Sequence, residues 1–312
     1  MKVFVAGATG AVGRRLVPLL VNSGHEVVGT TRSAEKADAV REMGAEPAVA
    51  DGLDAAAVRQ AVERAEPEAI IHQMTALTGV KSFRNFDKEF AGANELRTKG
   101  TDNLLEAARA VGTKRFIAQS YGNWNYERTG SEPKSEEDPL DPNPPKNQTR
   151  SLEAIRYVES TVTGADDVEG IALRYGNFYG PGTGFASDGD LVEMVRKRKL
   201  PVVGDGGGVW SFIHVDDIAS ITVAALERGR RGIYNASDDR PAPVAEWLPG
   251  LAEAVGAKPP RHVPVWVGRL ATGEVGVSMM TQISGTSNAK AKRELDWAQK
   301  YPSWREGFRS GL

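Results

Sequence analysis

Lys2-Val3-Phe4-Val5-Ala6-Gly7-Ala8-Thr9-Gly10-Ala11-Val12-Gly13-Arg14-Arg15-Leu16-Val17 opens the chain with a short apolar run, three glycines and an amphipathic stretch. The apolar run suits a buried strand, and the pattern over residues 12–21 suits a helix packed on it. Between the two, glycines let the backbone turn sharply and approach a ligand, while the N–H groups and dipole of a helix N-terminus favour negative charge. Strand, glycine turn and helix in immediate succession are therefore read as a pyrophosphate-binding device. The spacing is G-x-x-G-x-x-G rather than G-x-G-x-x-G. The bland alternative is a tight strand–helix turn, and the pattern downstream decides between them.

That pattern alternates. Strands are expected at residues 3–6, 26–30, 48–50, 69–73, 115–119 and 171–174, and helices near 12–21, 34–43, 55–65, 98–111 and 152–161. In the fourth helix Leu104, Leu105, Ala108 and Val111 recur at helical spacing and Gly112 marks the stop. Such alternation predicts an α/β fold, a doubly wound parallel sheet of Rossmann-like type with ligands at the carboxyl edge. Residues 1–175 are expected to form the dinucleotide-binding domain, with 210–235 returning to it, and 176–312 a smaller substrate-binding lobe. Residues 127–147, with prolines at 133, 139, 142, 144 and 145, read as a long surface loop that serves a site or is disordered.

Composition removes several classes of function. A net charge of −2 gives no broad pull toward nucleic acid or acidic membranes. The run Arg196-Lys197-Arg198-Lys199 reads as a solvated helix end, so no nucleic-acid partner is expected. With no cysteine, disulfides and thiolate nucleophiles are excluded. His25, His72, His214 and His262 lack metal-ligand spacing, so no metal is expected. No apolar run approaches the roughly 20 residues that cross a bilayer. The N-terminus does not read as a signal peptide, so no membrane partner and a cytoplasmic location are expected.

An NAD-preferring site usually carries Asp or Glu at the end of the second strand, roughly 20 residues past the glycines. Here Gly29-Thr30-Thr31-Arg32-Ser33 holds no acid before Glu35. Arg32, with Arg14 beside the third glycine, suits a 2′-phosphate instead, which favours NADP(H) and leaves NAD(H) open.

Further stretches carry a resemblance that runs from Lys2 to Phe308. They are Ala50-Asp51-Gly52-Leu53-Asp54, Ile70-Ile71-His72, Gly100-Thr101-Asp102-Asn103-Leu104-Leu105-Glu106-Ala107-Ala108 and Arg115-Phe116-Ile117-Ala118-Gln119-Ser120. After them come Leu173-Arg174-Tyr175-Gly176-Asn177-Phe178-Tyr179-Gly180-Pro181-Gly182, Phe212-Ile213-His214-Val215-Asp216-Asp217-Ile218-Ala219, Arg293-Glu294-Leu295-Asp296-Trp297 and Trp304-Arg305-Glu306-Gly307. With Gly7–Gly13 these resemble the extended short-chain dehydrogenase/reductases, the NAD(P)-dependent epimerase/dehydratase group. The resemblance implies that Gly7, Thr9, Gly10, Ala11, Val12 and Gly13 hold the diphosphate and that Asp51 and Gly52 lie by the adenine. It places Gln73, Met74 and Thr75 along the ribose, and Tyr175, Asn177 and Phe178 near the nicotinamide. For Asp51 alone, a helix cap or turn residue is the competing reading. Arg174 is a substrate-binding candidate, although a buried ion pair is the plainer reading for it.

The chain departs from the family's chemistry. The usual machinery is a Ser or Thr after the fifth strand plus Tyr-x-x-x-Lys on the next helix, where a spacing of four puts phenol and ammonium on one face. Ser120 matches the hydroxyl, but between Tyr126 and Tyr157 there is no tyrosine. Aligning residues 137–145 with the loop before that motif puts Lys146 at the tyrosine position and Arg150 at the lysine position. Lys146, desolvated beside Arg150, would donate a proton, and Arg150 would bind ribose hydroxyls; a solvated lysine is the bland reading. Tyr121 is the phenol nearest the expected nicotinamide in sequence, with packing under the long loop as its alternative. Trp124 follows the same strand, and Phe83 lies in an insertion over residues 77–90 that forms a substrate wall or a plain surface loop. Arg97 stands where Asn is usual. Two functions follow. One is an NAD(P)-dependent oxidoreductase or epimerase-like enzyme, atypical within the group, acting on a small carbonyl, alcohol or sugar-like substrate. The alternative is a non-catalytic NADP(H)-binding sensor or scaffold; a homodimer through two helices of the main domain is usual for the resembling family.

Overall fold

The structure, a computed structural model, describes residues 1–77, 83–130 and 132–312. From the N-terminus it runs β1 (Lys2–Ala6), α1 (Gly13–Asn22), β2 (Glu26–Thr31), α2 (Ala37–Glu42), β3 (Glu46–Val49), α3 (Ala55–Ala65) and β4 (Ala69–His72). Next come α4 (Phe86–Glu89), α5 (Ala91–Glu95), a π turn (Leu96–Gly100), α6 (Thr101–Val111), β5 (Arg115–Tyr121), α7 (Thr149–Thr163) and β6 (Glu169–Tyr175). They are followed by β7 (Asn177–Tyr179), α8 (Asp190–Arg196), β8 (Val202–Val203), β9 (Val209–Trp210), β10 (Phe212–His214), α9 (Val215–Arg228) and β11 (Gly232–Ala236). The chain closes with β12 (Ala242–Pro243), α10 (Val244–Ala254), β13 (His262–Val263), α11 (Val265–Thr281), α12 (Ala289–Leu295) and α13 (Trp304–Ser310).

Seven strands form one sheet in the order β11-β6-β5-β4-β1-β2-β3, and every pair in it is parallel. The central strands are buried on both faces, which is why Val3, Val5, Ile70, Ile71 and Ile117 read as continuous apolar runs rather than alternating ones. One face is covered by α1, α9 and α12 through Leu16, Val17, Leu20, Ile218, Ile221 and Leu295. The other is covered by α3, α6 and α7 through Val58, Val62, Leu104, Leu105, Val158 and Val162. Chain order reverses beside β1, whose neighbours are β2 and β4, and a parallel sheet opens its ligand crevice at the carboxyl ends of such strands. A third core, with Trp210, Phe212, Trp247, Trp304 and Phe308, lies in the C-terminal part of the chain.

The expected parallel Rossmann-like sheet is present, with three local differences. β3 begins at Glu46 rather than near residue 48: it is an edge strand paired only with β2, and an edge tolerates Glu46 and Pro47 where a central strand would not. The stretch from Trp210 to Leu226 contributes α9 to one face, but its strands β9 and β10 pair with β12 and β7, outside the main sheet. Within 127–147, of which Ser131 lies outside the described residues, the chain is a strap rather than a free loop. Lys134 N donates to Gly285 O, and Glu136 and Lys134 accept from the backbone and side chain of Asn235. No helix among the described residues is long and apolar enough to cross a membrane.

Candidate active site

The glycine turn is tight for a physical reason. Gly7 has φ +96, and a Cβ there would come within 2.9 Å of the Gln73 carbonyl carbon. A Cβ on Gly13 would meet Gly7 O and lie 2.5 Å from Ala8 O, so the first turn of α1 can close on β1 only as glycine. Gly7 N donates to Thr30 Oγ1 at 2.9 Å, which ties the turn to β2, and Arg14 Nε donates to Thr9 O at 3.0 Å. Gly10 is exposed, Thr9 and Ala11 are half-buried, and no side chain among the described residues caps the N-terminus of α1. An uncapped helix start above a glycine cradle is what a dinucleotide diphosphate requires, so these residues fit the cofactor.

Around that turn the loops converge. Arg32 is exposed just beyond β2, where Thr30 and Thr31 are buried and the first carboxylate in sequence is that of the exposed Glu35. Asp51 is exposed and accepts from Leu53 N at 3.0 Å, while Gly52 is packed so closely on Met74 that a Cβ would meet its sulfur. Gln73 is buried; its Nε2 donates to the Tyr175 hydroxyl at 2.8 Å and its Oε1 has no partner among the described residues. Thr75 is exposed beyond it. The Tyr175 phenol also meets Thr222 Oγ1 at 3.0 Å and lies in the core under α9, so Tyr175 offers backbone rather than its ring to the crevice. Phe178 is half-buried against the same core.

At the other end, strand alternation corrects the hydroxyl assignment. Ser120 is 4% exposed and its Oγ donates to Glu159 Oε1 at 2.6 Å, beneath α7. Side chains alternate along a strand, so the residue on the opposite face is Tyr121. Its hydroxyl donates to Asn177 Oδ1 at 2.7 Å, across the ends of β5 and β6, and burial holds its pKa above the ordinary phenol value.

The proposed places of Lys146 and Arg150 are corrected too. Lys146 lies in a separate 3-10 turn, Lys146–Gln148, ahead of α7, so a spacing of four does not put the two side chains on one helical face. Both are exposed, and Lys146 is not desolvated. The buried face of α7 presents Ser151, Ile155 and Glu159, at successive intervals of four. Arg174 is not available to a substrate. Its Nε and Nη2 donate to the two Glu159 oxygens at 2.7 and 2.6 Å, and its Nη1 donates to the Tyr126 hydroxyl at 2.8 Å. Sequence reasoning missed Glu159, whose one signal is its place four residues past Ile155 on an inward face.

Aromatic rings pack as a wall beside Tyr121. Phe86 stacks on Phe90 with centroids 4.1 Å apart and meets Trp124 edge-on at 5.2 Å; Phe83 stacks on Phe86 at 6.4 Å, and Tyr121 is tilted against Trp124 at 5.6 Å. Of the insertion over residues 77–90, 78–82 lie outside the described residues; its second half supplies this wall, and Asp87 bonds the first turn of α7 through Ser151 N and Oγ. The π turn is fixed from below by His72, whose Nε2 meets Leu96 O at 3.2 Å while its Nδ1 accepts from Met74 N. Burial lowers the His72 pKa to about 4, which keeps the ring neutral in this role.

The profile of the NAD dependent epimerase/dehydratase family matches residues 3–237. A "3-diazoavenalumate denitrifying reductase" from a Streptomyces species is 40% identical over 309 residues, covering 99% of each chain. The UDP-glucose 4-epimerase of Bacillus subtilis is 27% identical over 96% of this chain and 93% of its own. Among solved structures, the UDP-glucose 4-epimerase of Thermus thermophilus in complex with NAD superposes with a TM-score of 0.73 at 26% identity, over 99% of this chain and 97% of that one. The Thermotoga maritima UDP-glucose 4-epimerase with UDP-glucose gives a TM-score of 0.77 at 23% identity, over 99% and 96%, a likeness of fold. These relatives are named as enzymes and lend the sensor or scaffold alternative no support. The chain belongs to the NAD dependent epimerase/dehydratase family and is an enzyme of its NAD-dependent oxidoreductase or epimerase kind.

Proposed function

We propose that this protein is an NADP(H)-dependent reductase that delivers hydride to a small aromatic acceptor which needs no proton at the moment of transfer. The carrying observation is the inward face of α7. That face carries neither a phenol nor an ammonium, and instead offers Ser151, Ile155 and a Glu159 already occupied by Ser120 and Arg174.

A bound dinucleotide supplies the hydride. The amides at the start of α1 hold its diphosphate, and the exposed Arg32 offers a planar fork to a 2′-phosphate. Tyr121 and the wall of Phe83, Phe86, Phe90 and Trp124 seat a flat ring and keep water from the reacting carbon. Kinship with the Streptomyces reductase, over nearly the full length of both chains, supports a diazo acceptor. In such a reaction hydride ends on the ring carbon, the carbon–nitrogen bond breaks, N2 leaves as a neutral molecule and no proton is taken up. Reduction of a carbonyl, in contrast, leaves an alkoxide that must be protonated.

The test supplies purified protein with NADPH deuterated at the transferable position and a hydroxyarenediazonium salt, beside benzaldehyde and UDP-glucose. The expected result is protein-dependent N2 release with deuterium at the vacated ring carbon and faster turnover with NADPH than with NADH. NADPH consumption confined to benzaldehyde or UDP-glucose, or no consumption at all, would overturn the proposal.

A further inference from the structure

Arg97 is the one position in the π turn where sequence and burial disagree most. It is 6% exposed, and among the described residues its guanidinium makes a single hydrogen bond, from Nη1 to Asn94 Oδ1 at 3.1 Å. Its Nε is buried without a partner. Asn94 is itself held, because its Nδ2 donates to Ser151 Oγ at 3.0 Å, and Ser151 Oγ donates to Asp87 Oδ1 at 2.7 Å. The guanidinium is thus fixed in place by a chain of hydrogen bonds that runs through Asn94 and Ser151 to the Asp87 carboxylate, which it does not itself touch.

The titratable groups that favour the charge on Arg97 are Tyr121 and Glu159, and the neutral ring of His72 is coupled to it as well. None neutralises it. Tyr121 is a protonated phenol, and both Glu159 oxygens are taken by Arg174, with Ser120 sharing one of them. Burial lowers the Arg97 pKa to about 10, so it stays charged at neutral pH. A buried cation without an anion is costly, and proteins keep one where a ligand completes the pair. Short π segments inside helical runs also recur at functional sites.

We propose that Arg97 is the anion-binding residue of the acceptor pocket, pairing with an oxyanion conjugated to the aromatic ring of the substrate, as in a phenolate. The assignment rests on the hydride-transfer function proposed above, and it narrows the acceptor to rings that carry such an oxygen. It also gives Arg97 a part in the reaction. When hydride arrives at the ring carbon and N2 departs, the electron pair that the diazo-quinone form had shared returns to its oxygen as phenolate. A fixed cation beside that oxygen stabilises the charge as it develops.

The experiment uses the full chain with NADP+ and two flat probes, 4-nitrophenolate and nitrobenzene, titrated at a pH where the first is fully ionised. The expected result is that wild type binds the phenolate at least about tenfold more tightly than nitrobenzene, in keeping with a charge-assisted pair. Arg97→Gln removes that preference while nitrobenzene and NADP+ affinities stay within about twofold, and Arg97→Lys restores part of it. Equal wild-type affinity for the two probes, binding of neither, or unaltered preference in Arg97→Gln overturns the proposal. If Arg97→Gln does not fold, the wild-type preference and its reduction in Arg97→Lys decide. Phenolate preference without any NADP+ binding would sink the reductase function and leave the anion site standing; NADP+ binding without the preference would do the reverse.

Discussion

In the proposed site the phosphate end of the crevice is built from backbone and the hydride end from side chains. The first depends on residues that lack a Cβ, Gly7 and Gly13, because any side chain there would run into Gln73 or into the turn itself. Such a device has few solutions, so it survives as a readable pattern. At the proposed hydride end Ser120 has turned into a buried network, Tyr121 lies on the opposite side of β5 with its hydroxyl on Asn177, and Arg97 occupies the π turn. Side-chain sites can be rebuilt from different residues on one scaffold, and the proposed function sets a changed chemistry on a scaffold that is kept.

The sharpest way to break this contrast is through Glu159, which the account makes structural rather than chemical. Glu159→Gln leaves the Arg174 guanidinium buried without its anion, and urea unfolding should show a loss of about 3–5 kcal/mol. A variant as stable as wild type would mean that the network does not hold the β5 and β6 ends together.

His72 gives the next effect, in pH. Its pKa falls from an ordinary 6.5 to about 4 in the fold, and at about 1.4 kcal/mol per unit this is worth about 3 kcal/mol. Because the folded value lies below the unfolded one, that stability is fully present above about pH 6.5 and is lost as pH falls toward 4. Unfolding free energy measured across that window should decline, and the decline should flatten in His72→Gln.

Arg32 sharpens the phosphate end. Arg32→Ala should weaken NADPH roughly 10- to 100-fold and NADH by less than about twofold, as expected for loss of a charge-assisted pair to a single phosphate. Equal loss for both dinucleotides would place the 2′-phosphate elsewhere. The smallest effect is expected from Lys146→Ala and Arg150→Ala. Both side chains are exposed, so stability should stay within about 0.5 kcal/mol and turnover within about twofold of wild type. A large loss of turnover in either would return the proton to that end of α7.

Much of the architecture was legible because it rests on local pattern. The α3 bounds, the apolar runs of the central strands and the glycine turn follow from periodicity and from sterics that act over a few residues. The hydride end was less so. Whether Ser120 or Tyr121 faces the crevice depends on where the pleat of β5 ends, and a shift of one residue reverses the answer. The register of α7 was hidden by the 3-10 turn that precedes it, which breaks the count from Lys146 to Arg150. Arg97 stood out by type, but its lack of a direct carboxylate partner among the described residues is a property of the folded neighbourhood, where Arg174 has claimed Glu159.

The account as a whole depends on a diphosphate bound by the backbone at the start of α1, and calorimetry of NADPH with wild type and Gly13→Ala tests this most directly. The account predicts one molecule bound per chain in wild type and affinity at least about tenfold weaker in a folded Gly13→Ala, from the overpacking of that turn. Binding of equal strength in both proteins, or no binding by wild type at millimolar dinucleotide, would contradict it.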